Sequence, residues 1–121
     1  MSRSTPTVAA GALYDPATPA TRIRLDSPAW QAWLAAPTTT RFAYPLDDRR
    51  RGYIAGFMTV RKEGRRRGGA YWTVYRRVGA RLRKVYLGRA ETVTHARLEA
   101  IAQGLLAEAT TRKEGSPMDG R

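Results

Sequence analysis

Between Tyr53 and Leu87 glycines divide the chain into three runs rich in β-branched and aromatic residues, and that punctuation admits few folds other than an antiparallel meander. Tyr53–Glu63 reads as a strand with a possible bend at Gly56. Gly64–Gly69, sequence GRRRGG, reads as a basic turn. Ala70–Val78, sequence AYWTVYRRV, is the strongest strand signal in the chain. Gly79–Arg81 is a tight connection, and Leu82–Leu87 is the third strand of the meander. Upstream, Thr40, Phe42 and Tyr44 alternate within Thr38–Leu46 and predict a fourth strand, with Asp47–Gly52 as a loop.

Helical signals flank the meander. Asp26 or Ser27 can cap a short helix, Pro28 suits its first turn, and Trp30, Trp33 and Leu34 share one face before Pro37 stops it. That spacing predicts an aromatic plug on the core, with a dimer contact as the alternative. After Gly88, Thr92 or Thr94 can cap a second helix. Leu98, Ile101, Ala102, Leu105 and Ala109 form its apolar stripe. Gly104 weakens that helix by about 1 kcal/mol relative to Ala. Residues 1–25 contain Pro6, Pro16 and Pro19 without a sustained period and are expected to be a flexible arm; residues 110–121 are expected to be a flexible tail. The expected fold class is α+β: one domain over 26–109, with a three- to four-stranded antiparallel sheet packed on one C-terminal helix and a short Trp-bearing N-terminal helix. One helix covers only one sheet face, so the other is expected to stay free.

Charge is as localised as the strand pattern. Of 22 Lys/Arg, fourteen lie between Arg49 and Arg89 with one acid, Glu63, which leaves the other 80 residues slightly acidic. Crowding so many like charges into one folded unit is unfavourable, and a polyanion relieves it. Arginine outnumbers lysine nineteen to three, and Arg is the better bidentate ligand for phosphate and guanine edges.

The same composition argues against other classes. There is no cysteine, so disulfides and thiolate metal sites are excluded, and a single histidine, His95, leaves no zinc constellation. No apolar run approaches the roughly 20 residues needed to span a bilayer. The N-terminus has no secretion-signal pattern, and a cytoplasmic, nucleoid-associated protein is expected. With no phosphate-loop pattern and no close carboxylate pair in the patterned region, no enzyme activity and no cofactor are expected.

Side chains alternate along a strand, which divides the meander into two faces. Met58, Val60, Trp72, Val74, Val78, Val85 and Leu87 are assigned to the core side. Thr59, Arg61, Tyr71, Thr73, Tyr75, Arg77, Lys84 and Tyr86 are assigned to the open side, with Arg65, Arg66 and Arg67 projecting from the turn. Hydroxyls, rings and cations on one flat surface suit a strand-based reader of nucleic acid. Arg83, counted with the binding residues, falls on the apolar side in this register, as does Arg76. Either they reach past the helix from strand ends or a bulge shifts the register.

The run Tyr71-Trp72-Thr73-Val74-Tyr75-Arg76-Arg77, continued by Gly79-x-Arg81-Leu82-Arg83-Lys84-x-Tyr86-Leu87-Gly88-Arg89, resembles a bacterial module of pattern YWxxYRRxGxRLRKxYLGR. That module occurs in mobile-element and plasmid proteins and in the N-terminal region of LuxR/MalT-like regulators; SPAWQAWL and FMTVRKEGRRRGG extend the likeness over about residues 27–107. In topology, three strands and a helix are similar to the arm-site-binding domain of tyrosine-recombinase integrases and to plant ethylene-response-factor domains. The resemblance implies a sheet that enters the major groove of DNA, without a recombinase catalytic domain. The expected partner is therefore nucleic acid, double-stranded DNA before RNA, and no membrane. The alternatives are RNA, with Tyr71, Tyr75 and Tyr86 stacking on bases, and an acidic protein partner docked by a basic adaptor.

Overall fold

A computed structural model describes residues 5–16, 22–64 and 69–119, with side chains in the last stretch as far as residue 108. The fold is α+β. Among the described residues seven strands form one mixed sheet: β1 (Thr7–Ala9), β2 (Ala12–Tyr14), β3 (Arg22–Arg24), β4 (Arg41–Asp48), β5 (Tyr53–Glu63), β6 (Tyr71–Val78) and β7 (Arg81–Gly88). Their spatial order is β3-β2-β1-β4-β5-β6-β7. Helix α1 (Pro28–Ala35) and helix α2 (His95–Asp119) accompany the sheet, with one 3-10 turn at Ala90–Thr92. Among the described residues no helix is long and apolar enough to cross a membrane.

The meander follows the expected pattern. β5 and β6 pair antiparallel from Thr59↔Tyr75 to Glu63↔Tyr71, and β6 and β7 from Val78↔Arg81 to Trp72↔Gly88. The two-residue connection Gly79–Ala80 has φ +63° at Gly79, the position at which a type II′ hairpin demands glycine. At Gly56 strand β5 carries an extra residue against β4, since Pro45 pairs with Phe57 but Asp47 pairs with Ile54. The backbone there has φ +152°, and a Cβ would stand 3.0 Å from the Arg76 guanidinium. Gly56 therefore both kinks the strand and makes room for a cation.

Two expectations are corrected at the N-terminus. The stretch assigned to a flexible arm supplies β1, β2 and β3, and the sheet is mixed because β1 lies parallel to β4 through Thr7↔Ala43. Ala10 and Gly11 turn the chain with φ +52° and +78°, a type I′ geometry that matches strand twist. Strands of three residues are too short to show a period of two. Their order comes from Val8 and Leu13, which are buried in the core, and from backbone bonds such as Ala43 N–H to Pro6 O at 2.8 Å and Leu25 N–H to Gly11 O at 3.0 Å. At the other end, α2 continues past residue 109 into the expected tail.

The core lies on one side of the sheet. Val8, Leu13, Phe42, Tyr44, Leu46, Met58, Val60, Trp72, Val74, Val78 and Leu87 face Trp30 and Leu34 of α1, Val93, and Leu98, Ala102 and Leu105 of α2. Helix α1 begins at Ser27, whose hydroxyl accepts from Trp30 N–H at 3.2 Å, with Pro28 in its first turn. Trp30 is fully buried, its rings edge-on to Phe42 at 5.3 Å, and its indole N–H donates to Val93 O at 2.8 Å. The tryptophan pair is thus a plug on the core. Trp33 closes the same cluster from a half-buried position, with its indole N–H bonded to Asp15 at 3.0 Å.

Candidate functional site

Because both helices pack on one side, no helix covers the other side of the sheet among the described residues. The pairing register composes that open face. One transverse line of direct neighbours crosses all seven strands: Arg22, Tyr14, Thr7, Ala43, Thr59, Tyr75 and Lys84. Beside it runs Arg41–Arg61–Thr73–Tyr86, then Glu63–Tyr71, and at the opposite end Pro45–Phe57 and Arg77–Leu82. Thr59, Arg61, Tyr71, Thr73, Tyr75, Arg77, Lys84 and Tyr86 therefore share one surface. Arg65, Arg66 and Arg67 lie outside the described residues.

Arg83 does not join them. It pairs with Arg76 on the helix side, where its Nε lies 3.2 Å from Glu108 of α2. Arg76 stays on that side too, passing over Gly56 to donate to Phe57 O at 2.9 Å. No register shift carries either arginine to the open face. Each is accommodated by its own partner instead.

Four further residues reach the surface that the local pattern does not reveal. Arg22 and Arg24 on β3 and Tyr14 on β2 arrive there through the non-local pairing of the N-terminal strands, and Arg41 through the pairing of β4 with β5. The open face then carries Arg22, Arg24, Arg41, Arg61, Arg77 and Lys84. The acids Glu99 and Glu108 lie on the helix side, paired with Arg49 at 2.9 Å and with Arg83. Asp26 caps α2 by accepting from His95 N–H at 2.9 Å. The alternative sequence signals were faint: the RIR alternation at 22–24 and an arginine directly before Phe42.

Glu63 is an acid set among the cations of the face. The Tyr75 hydroxyl donates a short hydrogen bond to its Oε2, and Thr73 Oγ1 donates to its Oε1 at 3.4 Å. Arg61 stands over the Tyr75 ring at 5.3 Å and Lys84 at 5.6 Å. Tyr71 and Tyr86 face each other at 5.5 Å. Thr73 lies beneath this layer of side chains and is only 1% exposed, whereas Tyr86 is 56% exposed. The Tyr75 hydrogen bond, assisted by Tyr71 and by the charges of Lys84 and Arg61, holds the Glu63 carboxyl below the ordinary glutamate range against a smaller opposing effect of burial. A group made more acidic by folding supports the fold above the ordinary glutamate range, and that support is lost as pH falls through its folded value. An NMR titration should find the Glu63 midpoint below that of a free glutamate, and Tyr75→Phe should move it upward.

The chain matches no protein-family model, no curated protein and no solved structure. Among the described residues, no group of three or more His, Cys, Asp or Glu is placed to hold a metal ion. The open face, with its cations, rings and hydroxyls, is the feature of this fold best equipped to bind a ligand.

Proposed function

We propose that this protein is a non-enzymatic DNA-binding protein that lays the open face of β5, β6 and β7 against double-stranded DNA. The observation that carries the reading is charge segregation across the sheet: Arg61, Arg77 and Lys84 stand together on the uncovered side, and acids on the other side neutralise Arg49 and Arg83. An excess of cations on a pleated surface attracts phosphate, and the hydroxyls and rings among them can meet sugar and base edges.

Dimensions support a division of labour. Strands lie about 4.8 Å apart, so seven strands span roughly 29 Å, whereas the major groove is about 12 Å wide. Only a three-stranded part can enter it. The twist of roughly 20–25° between neighbouring strands turns β1, β2 and β3 out of that plane, where Arg22 and Arg24 would follow a flanking backbone. The Tyr75 ring is attended by Arg61 and Lys84, and Tyr71 and Tyr86 are engaged with each other. Rings so occupied favour duplex binding over stacking on unpaired RNA bases. The proposal includes a link to a mobile element or to transcription regulation, which is what the resemblance of residues 71–89 implies.

The test compares two charge-matched double variants in a titration with duplex DNA. Arg77→Ala with Lys84→Ala should weaken binding at least tenfold more than Arg49→Ala with Arg97→Ala, which removes cations from the helix side. Equal losses would show that bulk charge, and not this face, binds DNA. A pull-down of an acidic protein that survives nuclease would favour the adaptor reading.

A further inference from the structure

At one end of the open face a cation stands between two apolar side chains. Phe57 on β5 is 45% exposed and Leu82 on β7 is 55% exposed, although both are large hydrophobic residues. Leu82 is the direct neighbour of Arg77 on β6, which is exposed as well. Thr59 and Tyr75 are paired; Phe57 lies two residues past Thr59 on β5, as Arg77 lies two residues past Tyr75 on β6. Because β6 runs between β5 and β7, Arg77 is flanked by Phe57 on one side and Leu82 on the other. This end of the strands is the one away from Glu63 and Tyr71. The backbone of Phe57 is tied to β6 there, since its carbonyl accepts from Arg76 at 2.9 Å. Beyond the bulge, Ile54 pairs with the exposed Asp47, an acid that discourages phosphate and confines the arrangement to Phe57, Arg77 and Leu82. A surface that met only phosphate would gain nothing from two hydrophobic side chains held in water.

We propose that Phe57 and Leu82 are specificity-determining residues that pack on the C5-methyl groups of thymines, beside a guanine whose O6 and N7 are taken by Arg77. In the major groove thymine alone among the four bases presents a methyl group, and an apolar side chain is its natural contact. Guanine presents the paired acceptors that suit an arginine fork. Neighbouring strands lie about 4.8 Å apart and successive base pairs about 3.4 Å. Along the groove, both flanking side chains therefore reach base pairs within two steps of the one that Arg77 meets. A second copy of this chain is the poorer occupant of the patch, because a symmetric contact would bring two Arg77 side chains together. DNA supplies apolar methyls and the charge complementary to Arg77 in one partner. The inference rests on the DNA-binding reading and adds a base preference to it.

The test selects sites from a duplex library with about one helical turn of randomised base pairs, then rebuilds the preferred duplex with deoxyuridine in place of thymidine. That exchange removes the methyl groups and leaves the pairing edges intact. Burial of one methyl corresponds to about fourfold in affinity, so loss of two should weaken wild-type binding by about tenfold or more. Phe57→Ala with Leu82→Ala should bind the two duplexes equally and keep the wild-type salt dependence, since no charge is removed. Phe57→Leu with Leu82→Met keeps apolar surface at both positions and should retain most of the discrimination. Wild-type indifference to uracil overturns the proposal, as does a double alanine variant that still discriminates; either result leaves DNA binding in place. No binding to any duplex overturns both readings. A wild-type dimer that the double alanine substitution dissolves, found together with indifference to uracil, would assign the patch to a second copy and overturn the proposal as well.

Discussion

Replacing Arg41, Arg61, Arg77 and Lys84 together by alanine should flatten the dependence of duplex affinity on salt. Each phosphate contact contributes about 0.9 to the slope of log affinity against log salt. Loss of four contacts should therefore reduce the slope by about 3.6, as measured by titrations between 50 and 200 mM salt. Over that fourfold range the wild-type protein should lose on the order of 10² more affinity than the variant. The four residues lie on adjoining lines of the open face and are all exposed, so their removal should leave thermal stability nearly unchanged. A slope that stays as steep would mean that the phosphates are contacted elsewhere.

Trp30→Ala should produce the largest loss of stability. The side chain is fully buried among Trp33, Phe42 and the elements around Val93, and its indole N–H serves Val93 O. Emptying a site of that size costs about 3–5 kcal/mol, with an orphaned carbonyl as a further penalty. In urea the unfolding midpoint should fall with little change in slope, as expected when stability changes and the exposed surface does not. A tryptophan that served a dimer contact would instead give a protein whose folded stability is retained and whose oligomeric state changes. The burial of Trp30 inside a single chain argues for the first result.

Much of the central architecture was legible locally. β5 spans the residues expected of it, and β6 and β7 differ from expectation by one residue at one or both ends. Period-two alternation and glycine punctuation act over a few residues, and such signals are carried in full by a short stretch of chain. The same alternation placed Thr59, Arg61, Tyr71, Thr73, Tyr75, Arg77, Lys84 and Tyr86 on one side, as the register does. The N-terminal strands were not legible, because three residues show no period and their pairing partners lie far along the chain. The alternation also put Arg83 on the apolar side, as the register does, but the partner that accommodates it there was not legible. Its ion pair joins positions 25 residues apart, with Glu108 on an element whose placement no strand pattern reveals.

What the chain determined unaided was the meander, its two faces and the concentration of positive charge upon it. Each of these follows from side-chain alternation and turn chemistry within the span of a hairpin. Tertiary structure alone decided that the face extends across the seven described strands, that Arg22, Arg24 and Tyr14 join it, and that Glu63 is held among hydroxyls with both oxygens engaged. Those outcomes depend on contacts between distant segments, whose free energy comes from burying Val8, Leu13 and Trp30 in a common core.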